Sequence, residues 1–144
     1  LPPEKIKYFL DSTTLIHAVD KSAAYHKECL ETVDEVAKGK IPAATNLETL
    51  EETLFILSKF ISMQNVIRIT RDYLIMINLT KLELKKETFE HALELLETTP
   101  LKRLKDAINV ATMLEHYIPT IISEDKEYDK VTQLIRRLHP KDLP

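Results

Sequence analysis

The chain of 144 residues contains one glycine, one cysteine and no tryptophan. A single Gly beside seven Pro leaves no material for glycine-rich phosphate-cradling loops, and it argues against a β-sandwich stitched by many tight turns. Helices are therefore expected to dominate. Cys29 alone builds neither an intramolecular disulfide nor a zinc site made of cysteines, which fits a reducing, cytoplasmic setting. The longest aliphatic stretch, residues 74–77, falls far below the ~20 residues of a membrane-spanning helix, and no signal-type apolar segment stands near the start. The expectation is a soluble protein with no membrane partner. A basic excess is also missing: the net charge is −3, so the whole-molecule field does not recruit nucleic acid, and such binding requires a local basic patch or bound cations. With aromatics at 6% and not interleaved with basic residues, there is no stacking platform for reading bases.

What is present is an ordinary globular balance, 44% hydrophobic and 30% charged, at the length of one domain spanning residues 1–144. Residues 1–4 and 140–144, rich in Pro, read as loose ends. Residues 6–10 form a short apolar run that stops at Asp11-Ser12-Thr13-Thr14, a strand followed by a helix-capping turn. Helical spacing follows in 23–38, with Gly39 as the stop signal. Residues 41–45 suit a second strand. A helix begins at Leu47 on the stripe Leu50, Leu54, Leu57 and Ile61. Another spans 63–78, with Val66, Ile69, Tyr73 and Ile77 on one face. Residues 79–84 alternate like an edge strand, while 87–97 and 101–117 are helical, the latter announced by Pro100. The β-branched run 118–123 and residues 134–138 complete the strands. Short apolar strands alternating with longer helices indicate βα units, hence a doubly wound α/β domain with helices on both faces of a parallel sheet.

In that architecture the carboxyl ends of the strands share one edge, where ligands bind. Asp11 follows the first strand, Asp125 the 118–123 strand, and Asp106 stands early in the 101–117 helix. Glu48, Glu51 and Glu52 occupy the first turns after the second strand. Singly, these acids are commonplace: an Asp after a strand is usually a helix N-cap, and a run of Glu is usually a solvated face. Convergence of four separate segments is not commonplace. Carboxylates gathered within a few ångströms repel unless a divalent cation neutralises them, and all-oxygen ligation suits Mg²⁺ or Mn²⁺. Asp106 also heads a run, 107–114, whose only polar residues are Asn109 and Thr112. A buried helix that begins with an Asp requires a partner for it.

The segments Phe9-Leu10-Asp11-Ser12-Thr13-Thr14-Leu15-Ile16, Thr45-Asn46 through Glu51-Glu52-Thr53-Leu54, Lys105-Asp106-Ala107-Ile108-Asn109-Val110-Ala111-Thr112 and Ile121-Ile122-Ser123-Glu124-Asp125-Lys126-Glu127-Tyr128-Asp129 follow one another at a spacing that resembles the PIN domain family, the fold of VapC-type toxins and related ribonucleases. The resemblance covers nearly the whole chain. It implies a PIN-like three-layer α/β/α sandwich around a mostly parallel central sheet. It also implies a metal-dependent endoribonuclease, with Asp11, Glu52, Asp106 and Asp125 as catalytic and metal-binding acids for Mg²⁺ or Mn²⁺. Glu51 is the alternative to Glu52, being nearer by helical phase to the stripe of Leu47, Leu50 and Leu54. Asp129 would add a further acid, and Thr13 and Ser123 are candidate hydroxyl contacts. The toxin branch further implies an RNA substrate, a VapB-like antitoxin that blocks the pocket, and a homodimer, for which the apolar cluster 73–77 offers a surface unless it is core.

Among the basic residues, Lys102, Arg103 and Lys105 are the preferred contacts to an RNA backbone because they precede Asp106. The five histidines lack the i, i+4 spacing of paired ligands and read as structural or surface residues; Cys29 reads as a small hydrophobe in an amphipathic helix. A haloacid-dehalogenase-like phosphatase would need a second Asp where Thr13 stands, and a two-component receiver domain would need a closing Lys that is missing. The remaining alternative is a PIN fold serving as an RNA- or protein-binding module without turnover.

Overall fold

The computed structural model describes residues 5–144; residues 1–4, expected to be loose, lie outside it. Five strands, β1 (Tyr8–Leu10), β2 (Ala43–Asn46), β3 (Leu79–Leu82), β4 (Thr120–Ile122) and β5 (Arg136–Leu138), form one sheet in the order β3-β2-β1-β4-β5. Every pairing is parallel. Among the described residues there are six α-helices: α1 (Ser12–His17), α2 (His26–Ala37), α3 (Leu47–Leu57), α4 (Met63–Ile75), α5 (Lys86–Thr98) and α6 (Leu104–Glu115). The alternation of side chains along each strand sorts them into two cores. Phe9, Ala44 and Ile121 pack against α5, α6 and the short 3-10 helix Lys126–Val131 on one face. Leu10, Ala43 and Ile122 pack with residues of α1, α2, α3 and α4 on the other. This is the expected three-layer α/β/α sandwich, with a sheet that is wholly rather than mostly parallel.

The chain builds outward from β1 in one direction, then returns to the other side of β1 to lay down β4 and β5. The strand order therefore reverses between β1 and β4. Diverging connections there leave a crevice at the carboxyl ends of those two strands, the place where doubly wound sheets bind ligands.

Several boundaries differ from the sequence expectation for identifiable reasons. The helix expected over 101–117 begins at Leu104, because Leu101 is buried in the core and anchors a loop, and Arg103 is extended. The helix expected over 63–78 ends at Ile75, where the backbone extends at Met76 and turns into β3. Ile77 is consequently 92% exposed and does not share the buried face of Val66 and Tyr73. Residues 140–144 are not loose: Pro140 is buried, Pro140–Asp142 form a 3-10 turn, and Leu143 packs on the second core.

Two helices end in the same way. At α2, Gly39 adopts φ 76°, with its N–H donating to the Val36 carbonyl at 2.9 Å and the Lys40 N–H donating to Glu35 at 3.0 Å. At α6, Tyr117 adopts φ 55°, with its N–H donating to Leu114 at 3.3 Å and the Ile118 N–H to Met113 at 2.9 Å. Both are Schellman terminations, which favour glycine at the left-handed position. Tyr117 carries a Cβ penalty there, and its side chain is exposed. Tyr117→Gly should therefore stabilise the protein by about 0.5–1 kcal/mol, read as a higher urea midpoint at unchanged m-value. A lower midpoint would mean that the tyrosine ring contributes more than the backbone strain costs.

Candidate active site

The acids arrive at the crevice on four separate junctions. Asp11 follows β1 and caps α1, its Oδ1 accepting the Ser12 N–H at 2.8 Å. Asp125 follows β4 and caps the 3-10 helix, accepting the Glu127 N–H at 3.0 Å. Asp106 lies in the first turn of α6, and Glu52 in the second turn of α3. Capping and clustering are thus both true of Asp11 and Asp125. Because β1 and β4 are neighbours, the Ser123 hydroxyl spans them, donating to Asp11 Oδ2 at 2.7 Å and accepting the Asp125 N–H at 2.9 Å. Thr13 Oγ1 stands 3.3 Å from Ser123 Oγ and accepts the Glu124 N–H at 3.4 Å.

Two cations hold the four acids together. Lys105 Nζ lies 2.7 Å from Glu52 Oε2, 3.8 Å from Asp11 Oδ1 and 3.9 Å from Asp106 Oδ1. Arg103 donates from Nε to Asp106 Oδ2 at 2.9 Å and from Nη2 to Asp125 Oδ2 at 2.6 Å. Lys105, expected to grip an RNA backbone, is turned inward as a counter-charge, and Arg103 bridges two acids from a position 57% exposed. Of the glutamates on α3, Glu52 reaches the cluster while Glu51 is exposed. Asp129 is engaged elsewhere, in a two-pronged pair with Arg137 at 2.9 and 3.0 Å.

Three uncharged residues that sequence reasoning gave no role complete the floor. The Asn46 side chain caps α3 at the Thr49 N–H, 2.8 Å away, and donates to Asn109 Oδ1 at 2.9 Å. Asn109 donates in turn to the Tyr128 hydroxyl at 3.0 Å and to Asp11 Oδ1 at 3.5 Å, and Tyr128 donates to Asp106 Oδ1 at 3.1 Å. All three are buried, so each bond is made in a poorly solvated setting where orientation is fixed. The signal for Asn109 was available: it lies one turn beyond Asp106 on an otherwise apolar helix face.

Burial pushes the Asp11 carboxyl above the usual carboxylate range, against the opposing pull of Lys105 and the hydrogen bonds from Ser123 and Ser12. The same holds for Asp106, where Lys105 and Arg103 oppose burial and the charges of Asp125 and Asp11 reinforce it. For Lys105 burial works against the charge, yet Asp11, Glu52 and Asp106 outweigh it and hold the ammonium above its ordinary value.

Do these residues fit a divalent cation? The donor set is all oxygen, four carboxylates face two cations, and the two negative charges left over match one such ion. Glu52 Oε2 is buried and, despite its ion pair with Lys105, has no partner in hydrogen-bond geometry. The residues fit. An apolar hollow lined by Leu84, Phe89, His91 and Glu115 lies elsewhere and contains none of the four acids.

A family profile described as PIN domain matches residues 8–134. The chain belongs to the PIN domain family. Solved structures superpose on this PIN domain over most of its length. VapC20 of Mycobacterium tuberculosis, a toxin described as cleaving the sarcin-ricin loop, is 16% identical with a TM-score of 0.73, over 85% of this chain and 92% of its own. VapBC2 of Rickettsia felis, solved bound to a fragment of its promoter DNA, is 14% identical with a TM-score of 0.67, over 90% and 96%. A toxin-antitoxin complex from Klebsiella pneumoniae is 18% identical with a TM-score of 0.65, over 94% and 99%. At such identities the likeness is one of fold. No curated protein matches the chain by sequence. Among the described residues no helix of this PIN domain is long and apolar enough to cross a membrane.

The raised Asp11 value has a consequence for stability. The folded state holds this proton more tightly than the unfolded chain, so stability falls as pH rises through the interval between the two values. Above both values the fold carries the full cost of ionising a buried carboxylate. Asp11→Asn keeps the cap and should stabilise the chelator-treated protein by about 0.5–2 kcal/mol at pH 7. The gain should shrink as pH falls into the ordinary carboxylate range, measured by denaturant titration across pH. A gain that is independent of pH would remove the titration explanation.

Proposed function

We propose that this PIN domain is a divalent-cation-dependent endoribonuclease whose acids are Asp11, Glu52, Asp106 and Asp125, with Mg²⁺ or Mn²⁺ as the ion. The observation that carries the reading is the surplus of negative charge where β1 and β4 diverge, together with membership of a nuclease-rich family. Asp11, Glu52, Asp106 and Asp125 would hold the divalent cation, which when bound would acidify an attacking water and offset charge on the phosphate. The chain's own groups do the rest. Asp11 and Asp106 are held by the hydroxyls of Ser123 and Tyr128, so their oxygens do not reorganise as phosphate approaches. Arg103, largely exposed, is free to exchange a carboxylate for a phosphate oxygen, and Lys102 beside it is exposed to the same solvent.

The proposal extends to the toxin of a toxin-antitoxin pair, because the structures of similar fold include such toxins and their complexes. A groove bordered by Glu48, Glu51, Glu52, Phe55, Leu104 and Ile108 adjoins the acids, and its mix of apolar and acidic groups suits an antitoxin segment carrying Arg. Self-association as a homodimer is supported by the exposed apolar residues Met63, Ile67, Leu74 and Ile75 of α4. The setting proposed is the cytoplasm, and the unit is one domain over residues 1–144.

The test is incubation with end-labelled single-stranded RNA in Mg²⁺ or Mn²⁺, beside an EDTA control and Asp106→Asn prepared identically. Cleavage should require the ion and fall by at least roughly a hundredfold in the variant. Equal cleavage by parent and variant would assign the activity to a contaminant. Absence of cleavage across structured and unstructured RNAs would favour the binding-module alternative.

A further inference from the structure

Apart from the acids, the fold gathers a second set of ligating groups from three segments. His17 ends α1, Cys29 lies in the first turns of α2, and Glu124 stands between Ser123 and Asp125 after β4. One ligand atom from each falls within 4.8 Å of the other two. His17 Nδ1 is paired with a Glu124 carboxylate oxygen. Cys29 is a free thiol and fully buried. We propose that His17, Cys29 and Glu124 form a binding site for a transition-metal ion of the zinc class, distinct from the acidic pocket.

The donor chemistry selects the ion. A thiolate and an imidazole beside one carboxylate suit zinc, whereas Mg²⁺ takes oxygen ligands. Tetrahedral zinc holds N, O and S ligand atoms about 3.3–3.8 Å apart; the directly paired His17 and Glu124 part to admit the ion, and the Cys29 thiol, within 4.8 Å of both, moves in by at most about 1.5 Å. Burial, followed by the charges of Glu124 and Glu28, pushes the Cys29 thiol up to about 12, which removes it as a free nucleophile at neutral pH. Metal coordination forms the S–metal bond and releases that proton to solvent. His17 and Glu124 remain partly exposed and give the ion its way in, leaving a fourth position for water. The surroundings fix the backbone at two of the ligands: the Glu124 N–H donates to Thr13 Oγ1, and His26 Nδ1 lies 2.8 Å from the His17 carbonyl oxygen. An ion here clamps α2 onto the two segments that carry Asp11 and Asp125. The inference does not depend on the ribonuclease reading.

Sequence reasoning missed this site, having assigned His17 and Cys29 to structural roles, since no spacing rule links residues 17, 29 and 124. The test is to strip the protein with chelator, remove the chelator, and titrate with Co²⁺ and then Zn²⁺. One equivalent of Co²⁺ should give the thiolate-to-cobalt charge-transfer band in the near ultraviolet; Zn²⁺ should displace it and raise Tm. Cys29→Ala should abolish the band. His17→Gln and Glu124→Gln, at partly exposed positions, should each weaken Zn²⁺ by roughly tenfold or more. Asp106→Asn should leave the band unchanged. Absence of the band in the parent, or a Zn²⁺ effect on Tm that survives His17→Gln and Glu124→Gln but is lost in Asp106→Asn, would overturn the proposal.

Discussion

Lys105 is the charge on which the crevice depends. A parallel sheet whose order reverses between β1 and β4 brings several chain segments to one point, and here they bring carboxylates. Without an internal cation, Asp11, Glu52 and Asp106 would face one another across a poorly solvated gap with nothing to offset their repulsion. Lys105 meets all three, from a side chain only 26% exposed. Arg103 extends the same compensation outward to Asp125. The polar floor of Asn46, Asn109 and Tyr128 then fixes the direction of carboxylates whose charge the two cations have made tolerable.

The same balance explains which parts of the molecule were legible in the sequence. Apolar runs ending in Asp or Asn located the strands and the residues at their carboxyl ends, because strand burial and helix capping both leave local marks. Asp11, Asp106 and Asp125 were therefore readable as a set before any contact was known, and Glu52 with Glu51 as its alternative. The internal duty of Lys105 was not readable. A lysine next to an aspartate on a helix looks like surface, and only the fold reveals that acids from other segments meet it. Helix ends divided similarly: Gly39 announced one Schellman turn, whereas Tyr117 adopts the same left-handed geometry with a side chain that gives no warning. Boundaries at Leu104 and Ile75 escaped because tertiary packing of Leu101, and the turn into β3, overrode helical periodicity.

Long-range juxtaposition accounts for the other omission. His17 and Cys29 lie far from Glu124 in sequence, yet α1 and the loop after β4 must lie side by side once β1 and β4 pair. The two ligand sets share this cause. Asp11 and His17 bracket α1, while Asp125 and Glu124 are adjacent residues, so the oxygen-rich and the sulfur-bearing clusters are opposite sides of the same pair of junctions. An acid cluster that must keep its geometry against its own repulsion benefits from anchoring that does not itself add charge to the crevice. Packing supplies part of it, through Leu15 and Ile122 in the second core. The hydrogen bond from Thr14 Oγ1 to the Ile122 carbonyl at 2.9 Å supplies another part, tying α1 directly to β4 beneath the acids. Both act from below the crevice, where the side chains are dry, and leave its mouth to the exposed Arg103 and to whatever anion approaches it.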